Sequence, residues 1–265
     1  MDRLHELIDP IRRIAEDAGR AILEIRDTWT STKADGSPVT AADAAADTLI
    51  RESLQRISEH PIVSEEDAES HRRHAGVFWL VDPLDGTKEL LKASGEFTVN
   101  IALIENGAAV LGVVHAPALN RSWCASSKTG TVAIDESGRA ALLEPPAIRI
   151  MDRPLRLAVS RDHLTTEESQ LIETLENIQP VPRGSSLKFC MVAEDVADAY
   201  LRVGTTMEWD TAAAQCVAER AGCRVTDLGG QPLRYAKENL RNPSFLVVRD
   251  PSVARQILDH LQSHG

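Results

Sequence analysis

The sequence predicts an α+β fold in two lobes, and three observations predict it. Apolar residues recur at helical spacing up to about Ile57, an Asn-Gly pair then joins two apolar runs as a hairpin, and short strands and helices alternate beyond Glu144-Pro145-Pro146. A chain of 265 residues, 43% of them hydrophobic, can fill the core that such a fold needs.

Leu4, Leu7, Ile8, Ile11, Ile14, Ala15, Ala18, Ile22 and Ile25 recur at steps of three and four, which places one apolar face on a first helix. Lys33 to Pro38 is turn chemistry, and Thr40 opens an alanine-rich helix to about Ile57. Pro61-Ile62-Val63 reads as a short strand that ends at Ser64-Glu65-Glu66-Asp67. Val77 to Val81 reads as a buried strand with Asp82 at its C-terminal end. Phe97 to Ile104 and Ala109 to His115 flank Asn106-Gly107, the hairpin signal. The lobe boundary falls at residues 146 and 147: residues 1–146 carry most candidate ligands, and residues 147–265 carry Asp210 and a candidate anion-binding segment. The lobes are expected to pack as one unit with a cleft between them.

Lys and Arg number 29 against 40 Asp and Glu, so the net charge of −11 opposes attraction to nucleic acid or anionic membrane. An anionic substrate then needs a local source of positive charge. Cys124, Cys190, Cys216 and Cys223 have neither CxxC spacing nor a neighbouring His tract and read as buried thiols. The first residues enter a helical pattern without an apolar leader, and no stretch has the length of a membrane span, so a reducing, cytoplasmic location is expected.

The chemistry concentrates in Asp82-Pro83-Leu84-Asp85-Gly86-Thr87. Two carboxylates flank Pro83-Leu84 and Gly86 permits a tight turn, so Asp82, Asp85 and the Leu84 carbonyl converge as hard oxygen donors suited to magnesium or manganese. Thr87 adds a hydroxyl where a water would be oriented. An Asp-Gly pair alone would be a turn in which Asp caps amides, but five specified positions in six exceed that reading. Glu65 and Glu66 either supply a carboxylate that bridges two metals or form a solvated acidic loop. Asp43, three residues after Thr40, fits a capping box, and the helix N-terminus also suits a phosphate. Asp47, one turn on, reads as solvated or ion-paired.

Asp210 sits where an N-cap belongs on the helix opened by Trp209-Asp210-Thr211, and an ordinary cap is the plain alternative to a ligand. Gly184-Ser185-Ser186-Leu187-Lys188 offers a turn, two hydroxyls, amides at a helix start and a lysine: a second anion site or a plain helix start. His71 and His74 read as surface residues and His115 as a hydrogen-bonded core residue. No GxxxxGK[ST], GxGxxG, HExxH or GxSxG run occurs, which removes nucleotide-triphosphate, dinucleotide, zinc-protease and serine-hydrolase readings.

Four separated segments, Ser37 to Asp43, Ser64-Glu65-Glu66, Asp82 to Glu89 and Trp209 to Ala213, occur in the order seen in the lithium-sensitive, magnesium-dependent inositol monophosphatase superfamily, which the chain resembles over nearly its whole length. Gly95 to Ile104 and Gly184 to Cys190 are most similar to its 3'(2'),5'-bisphosphate nucleotidase branch. The resemblance implies a layered αβαβα sandwich of the inositol monophosphatase/fructose-1,6-bisphosphatase type. It implies two or three Mg2+ ions on Glu65, Asp82, Asp85, Asp210 and the Leu84 carbonyl, with Asp43 serving a further ion and the attacking water beside Thr87.

The implied activity is direct attack of a metal-activated water on the 3'-phosphate of adenosine 3',5'-bisphosphate, and of its phosphosulfate precursor in sulfur assimilation, leaving AMP. Glu65, Asp43 and Thr87 are the implied catalytic residues. Asp85, Gly86, Thr87, Lys88, Gly184, Ser185, Ser186, Lys188 and Asp210 are the implied substrate contacts. Ala214 departs from the family's glycine, and Glu208 is an unusual charge expected at the cleft rim. The implied partner is a small nucleotide bisphosphate rather than nucleic acid, for a monomer or homodimer. An inositol monophosphatase or sugar phosphatase shares this scaffold, and a regulatory protein binding RNA or transcription machinery is the reading from another class.

Overall fold

The computed structural model describes residues 4–25, 30–32, 38–72, 76–145, 153–161 and 164–264. The turn read at 33–37, His74 and the lobe boundary at 146 and 147 lie outside the described residues.

Helix α1 (Leu4–Glu24) buries Leu4, Ile11, Ile14, Ala15, Ala18 and Ile22 along one stripe, as its periodicity predicts. Strands β1 (Thr30–Thr32) and β2 (Pro38–Thr40) pair antiparallel. Helix α2 (Ala41–Ile57) starts on a capping box: Thr40 Oγ1 accepts the Ala42 amide at 3.1 Å, and Asp43 Oδ2 accepts the Thr40 amide at 2.7 Å.

A seven-stranded sheet follows. It comprises β3 (Ile62–Ser64), β4 (Val77–Asp85), β5 (Thr98–Glu105), β6 (Ala108–Ala116), β7 (Arg121–Ser126), β8 (Thr131–Ile134) and β9 (Ala140–Leu142), in that spatial order. The short helix α3 (Thr87–Leu91) lies between β4 and β5. Only β3 and β4 run parallel; the other pairs are antiparallel. Asn106 and Gly107, at φ 52° and 75°, make the two-residue turn that joins β5 to β6.

The second sheet has the order β11-β10-β12-β14-β13. Along the chain run β10 (Leu155–Ser160), α4 (Thr166–Thr174), β11 (Ile178–Arg183), α5 (Leu187–Ala193), β12 (Ala199–Arg202), α6 (Glu208–Arg220), β13 (Arg224–Asp227), β14 (Phe245–Val248) and α7 (Pro251–His264). Pro180 and Pro182 fall on β11, an edge strand, where a missing amide donor is tolerated.

Side-chain alternation assigns the layers. On β4, Trp79 and Val81 join the cluster formed with α1 and α2, while Phe78 and Leu80 join the central core with α5 and α6. On the second sheet, Ala158, Tyr200, Phe245 and Val247 face that same central core. Leu157, Leu201, Leu246 and Val248 pack outward with Val253 and Ile257 of α7. The stack therefore reads helices, sheet, helices, sheet, helix, the αβαβα sandwich expected from the sequence. The four cysteines are buried free thiols, and His115 is buried with Nδ1 2.9 Å from Ser122 Oγ.

Candidate active site

The Asp82 run extends β4 rather than leaving it. Pairing with β5 continues to Asp85–Thr98, but the register shifts between Asp82 and Asp85, where the strand must accommodate Pro83. Asp82 is buried and its Oδ1 accepts the Leu84 amide at 3.1 Å. Gly86 then turns the chain into α3 at φ 95°, a left-handed conformation that favours glycine.

Two other elements bring carboxylates to this point. Glu65 directly follows β3, and its amide donates to Val81 O at 3.1 Å, which places it beside the end of β4. Asp210 arrives on α6. The sequence placed Asp210 at the N-cap, but the helix begins two residues earlier, at Glu208, and Met207 is the cap. Asp210 is the third helical residue and reaches back to accept the Met207 amide at 2.8 Å.

Carboxylate oxygens of Glu65, Asp82 and Asp210 lie within 4.8 Å of one another, each from a different element. Burial pushes the Asp82 carboxyl well above the ordinary range, with repulsion from Glu65, Asp85 and Asp210 adding to it. Burial and repulsion from Asp85 and Glu65 do the same to Asp210. Asp85 is pushed up to about 6, mainly by burial, with Lys188 and the Ser186 amide opposing. Packing like charges in a poorly solvated place is unfavourable unless a cation joins them, and all-oxygen donors suit a hard divalent ion. The residues therefore fit magnesium.

Asp43 lies beside this cluster, almost fully buried, and serves two purposes at once. Oδ2 accepts the Thr40 amide and hydroxyl at 2.7 and 2.6 Å, completing the helix cap, and Oδ1 accepts Thr87 Oγ1 at 3.2 Å. Asp47 is buried as well, accepting the Ser64 hydroxyl and pairing with Arg51 at 3.5 Å, so it is not solvated.

The Gly184 to Lys188 segment differs from its sequence reading. Two of its amides hold protein carboxylates rather than standing open to an anion: Gly184 N donates to Glu96 Oε2 at 2.8 Å and Ser186 N to Asp85 Oδ2 at 2.6 Å. Ser186 Oγ donates to Asn100 Oδ1 at 2.8 Å and lies 2.8 Å from Thr98 Oγ1, and Ser185 Oγ is 3.0 Å from the same Thr98 hydroxyl. Lys188 Nζ donates to Ser185 O at 2.6 Å, and burial lowers its pKa to about 8.

A cavity of about 240 Å³ joins these parts, with Glu65, Asp85, Thr87, Lys188, Arg202 and Asp210 on its wall. Leu84, Gly86, Lys88, Ser185 and Ser186 also line it; Gly184 does not. Tyr200 and Phe245 supply aromatic wall.

Sequence reasoning missed several participants. Glu89 lines the cavity, and Glu96 is buried under Arg161 Nε and Nη2, at 2.9 and 2.7 Å, and Arg183 Nη1, at 3.1 Å. Arg202 carries a cation on the wall from the end of β12, a position at the mouth of a sheet that could have signalled it. His71 is half-buried rather than a free surface residue: its ring centroid lies 4.8 Å from that of Trp209 and Nε2 is 2.8 Å from Ser64 O. Glu208 is not at the cleft rim either. It is fully buried, accepting the Ala236 and Lys237 amides at 2.7 and 3.0 Å, with Lys237 Nζ at 2.6 Å. The departure at Ala214 is accommodated in the core, where that side chain is 1% exposed.

This arrangement is that of a metal-dependent phosphatase, and the chain belongs to the inositol monophosphatase family, whose model matches residues 4–264. Two relatives carry a more particular name. The 3'(2'),5'-bisphosphate nucleotidase CysQ of Shigella flexneri is 44% identical over 250 residues, covering 91% of this chain and 99% of that protein. The protein of the same name from Escherichia coli strain K12 is 43% identical with the same coverage. The crystal structure of CysQ from Bacteroides thetaiotaomicron, at 37% identity, matches with a TM-score of 0.76 over 89% of this chain and 95% of that one. The extragenic suppressor protein SuhB from Bartonella henselae, 22% identical, matches at 0.80 over 97% and 98% of the two chains, which shows the shared fold.

Proposed function

We propose that this chain hydrolyses the 3'-phosphate of adenosine 3',5'-bisphosphate, and of its phosphosulfate precursor, to leave the 5'-nucleotide and inorganic phosphate. The observation that carries the substrate is 43–44% identity extending over 99% of proteins named as 3'(2'),5'-bisphosphate nucleotidases. The chemistry is supported by the carboxylate cluster and the Asp43–Thr87 pair beside one cavity.

Glu65, Asp82, Asp85, Asp210 and the Leu84 carbonyl would hold magnesium in this reading, two or three ions in all, with Asp43 beside the further one. Bound magnesium neutralises charge on the phosphoryl oxygens and acidifies water near them. The chain's own residues then supply positioning and proton transfer. Thr87 donates its hydroxyl proton to Asp43, so its oxygen lone pairs are left to accept a proton from a water in the cavity. That water's oxygen forms the new P–O bond in line as the bond from phosphorus to the 3'-oxygen breaks; its proton passes through Thr87 to the Asp43 carboxylate, and the departing 3'-oxygen takes a proton from solvent water to become the 3'-hydroxyl. No covalent bond to the protein forms.

Lys188 and Arg202 place positive charge on the wall, suited to the second phosphate, and Lys88, Ser185 and Ser186 adjoin it. Gly184 acts by holding the turn through Glu96. In this reading residues 1–146 carry most metal ligands, and residues 147–265 carry Asp210 and the nucleotide-binding segment. Among the described residues no helix is long and apolar enough to cross a membrane, and the acidic chain is read as a cytoplasmic enzyme for a small nucleotide rather than for RNA.

The test is phosphate release by the purified protein from adenosine 3',5'-bisphosphate, inositol 1-phosphate and fructose 1,6-bisphosphate, with and without magnesium and with added lithium. Magnesium-dependent preference for the nucleotide is expected. A higher kcat/KM for either other substrate would overturn the proposal.

A further inference from the structure

Glu89 is the acidic residue of the cavity that the chemistry above leaves unused. It stands on α3, two residues past Thr87, and is 4% exposed while lining the cavity wall. Its stem is wedged between two turns: a Cβ built on Gly184 would lie 2.8 Å from Glu89 Cγ, and one on Gly86 would lie 3.2 Å from Glu89 Oε2. Among the described residues no N–H or O–H donates to its carboxylate. Its oxygens are nonetheless not sealed in protein, so the surface they keep faces the cavity. The charged groups that interact with it are Asp85 and Lys188.

A carboxylate nine-tenths buried without a donor is costly, and such a group in a folded protein calls for a partner. A phosphate group is the wrong partner, since two anions would repel. Glu89 stands outside the Glu65–Asp82–Asp210 group, as Asp85 also does, so the magnesium dependence of its variants separates a metal from the other class of partner, a neutral donor carried by the substrate. A ribonucleoside 3'-phosphate has one next to the bond that breaks, the hydroxyl on the adjacent ring carbon.

We propose that Glu89 is a specificity-determining residue that accepts a hydrogen bond from the hydroxyl vicinal to the scissile phosphate, and so selects monoesters of a 1,2-diol over deoxy analogues. This inference rests on the nucleotidase reading. Its position fits the role. Thr87 and Asp85 mark where the phosphoryl group reacts, and Glu89 shares the cavity wall with them and with Lys188. An ionised acceptor discriminates more strongly than a neutral one, because a ligand lacking the hydroxyl leaves a buried charge unpartnered.

The experiment compares kcat/KM for adenosine 3',5'-bisphosphate and 2'-deoxyadenosine 3',5'-bisphosphate in the wild type, Glu89→Gln and Glu89→Ala, together with the magnesium concentration for half-maximal rate. The wild type is expected to prefer the ribonucleotide by about tenfold or more, the effect of one charge-assisted hydrogen bond. Glu89→Ala is expected to bring the ratio close to one, by lowering the ribonucleotide rate and raising that of the deoxy analogue, which no longer leaves a buried carboxylate unpartnered. Glu89→Gln, which keeps a weaker acceptor and the shape of the side chain, is expected to fall between. Magnesium dependence stays unchanged in both.

A wild-type ratio of one, or variants in which both substrates fall in parallel, would overturn the inference. So would a raised magnesium requirement with an unchanged ratio, which would make Glu89 a metal ligand. A wild type inactive on both nucleotides would instead overturn the nucleotidase reading, and this inference with it.

Discussion

The backbone amide of Ser186 donates to Asp85 Oδ2 at 2.6 Å, across a separation of 101 residues. One partner belongs to the acidic strand end of the first sheet and the other to the turn that follows β11 of the second. The carboxylate is thereby oriented from outside its own sheet, and the bond opposes the rise in its pKa that burial causes. The turn is itself held by Thr98 and Asn100, at the start of β5, and by Glu96 two residues before it. Strand β5 is hydrogen-bonded to β4, so these contacts close a loop from the acidic run, through β5 and the turn, back to Asp85.

This loop makes Gly184 sensitive to a single methyl group. In Gly184→Ala the new Cβ would meet Glu89 Cγ and Glu96 O at 2.8 Å, and the backbone oxygen cannot swing away as a flexible side chain can. The turn must shift, at a cost of about 1–3 kcal/mol. Activity should suffer more than stability: kcat/KM falls about tenfold or more, because Ser186 no longer meets Asp85. Kinetics at saturating magnesium beside thermal melts would check this, and full activity with a lowered Tm would refute it.

Asp43 carries two roles that mutation can separate. Thr40→Ala removes the hydroxyl of the α2 cap and should cost about 1 kcal/mol, with kcat changed little. Asp43→Asn keeps an oxygen for the Thr40 amide but loses the charge that draws the Thr87 proton. Its kcat should fall about 100-fold or more while Tm moves by only a few degrees. Equal losses of rate in the two variants would mean that the cap, rather than the relay, is what matters.

The parts of this site that were legible in the sequence are those whose signal is local. Asp82 to Thr87 lies within six positions, Thr40 and Asp43 share one helical turn, and the Asn106-Gly107 turn needs only its own residues. The periodicity of α1 predicted its buried stripe, because each side chain's face follows from its place on its own element, whereas the layered sandwich followed from the family resemblance. What was not legible joins distant elements. Nothing near Glu96 announces that Arg161, Arg183 and Gly184 converge on it, and Glu208 looked like a rim charge because Lys237 lies 29 positions later. Asp210 was placed at the cap rather than inside the helix since helix ends are the least determined feature of an apolar pattern.

The Glu208–Lys237 pair gives a stability prediction independent of the chemistry. Glu208 is fully buried while the Lys237 side chain is 31% exposed, so the removal of Lys237 leaves a carboxylate sealed in protein with two amide donors and no countercharge. Lys237→Met should destabilise by about 2 kcal/mol, below the usual loss for a fully buried pair because Lys237 is partly solvated. The double variant Glu208→Gln, Lys237→Met should recover much of that loss. Urea denaturation measures both, and additive losses would show that the two side chains are not coupled.

The raised carboxyls at the cluster predict how metal and pH combine. Asp85 has a folded pKa of about 6 against an ordinary 3.8, so between these values the folded protein binds more protons than the unfolded chain. Metal-free stability from this group is therefore lost as pH rises through that window, and Asp82 and Asp210, shifted the same way, extend the loss upward. His115 acts in the opposite sense: burial lowers it to about 4, so its contribution is gained as pH rises toward its ordinary 6.5. It contributes equally with or without metal, and the difference between the two conditions isolates the cluster. Magnesium competes with protons for the same oxygens, so its stabilisation should grow with pH. At saturation of about 100 times Kd it should add close to 2.7 kcal/mol, or about 5–10 °C in Tm, near pH 7.5, and much less near pH 5. Thermal melts in magnesium and in chelator at the two pH values would check this. An equal magnesium-induced shift at both would mean that the ion binds elsewhere than on these carboxylates.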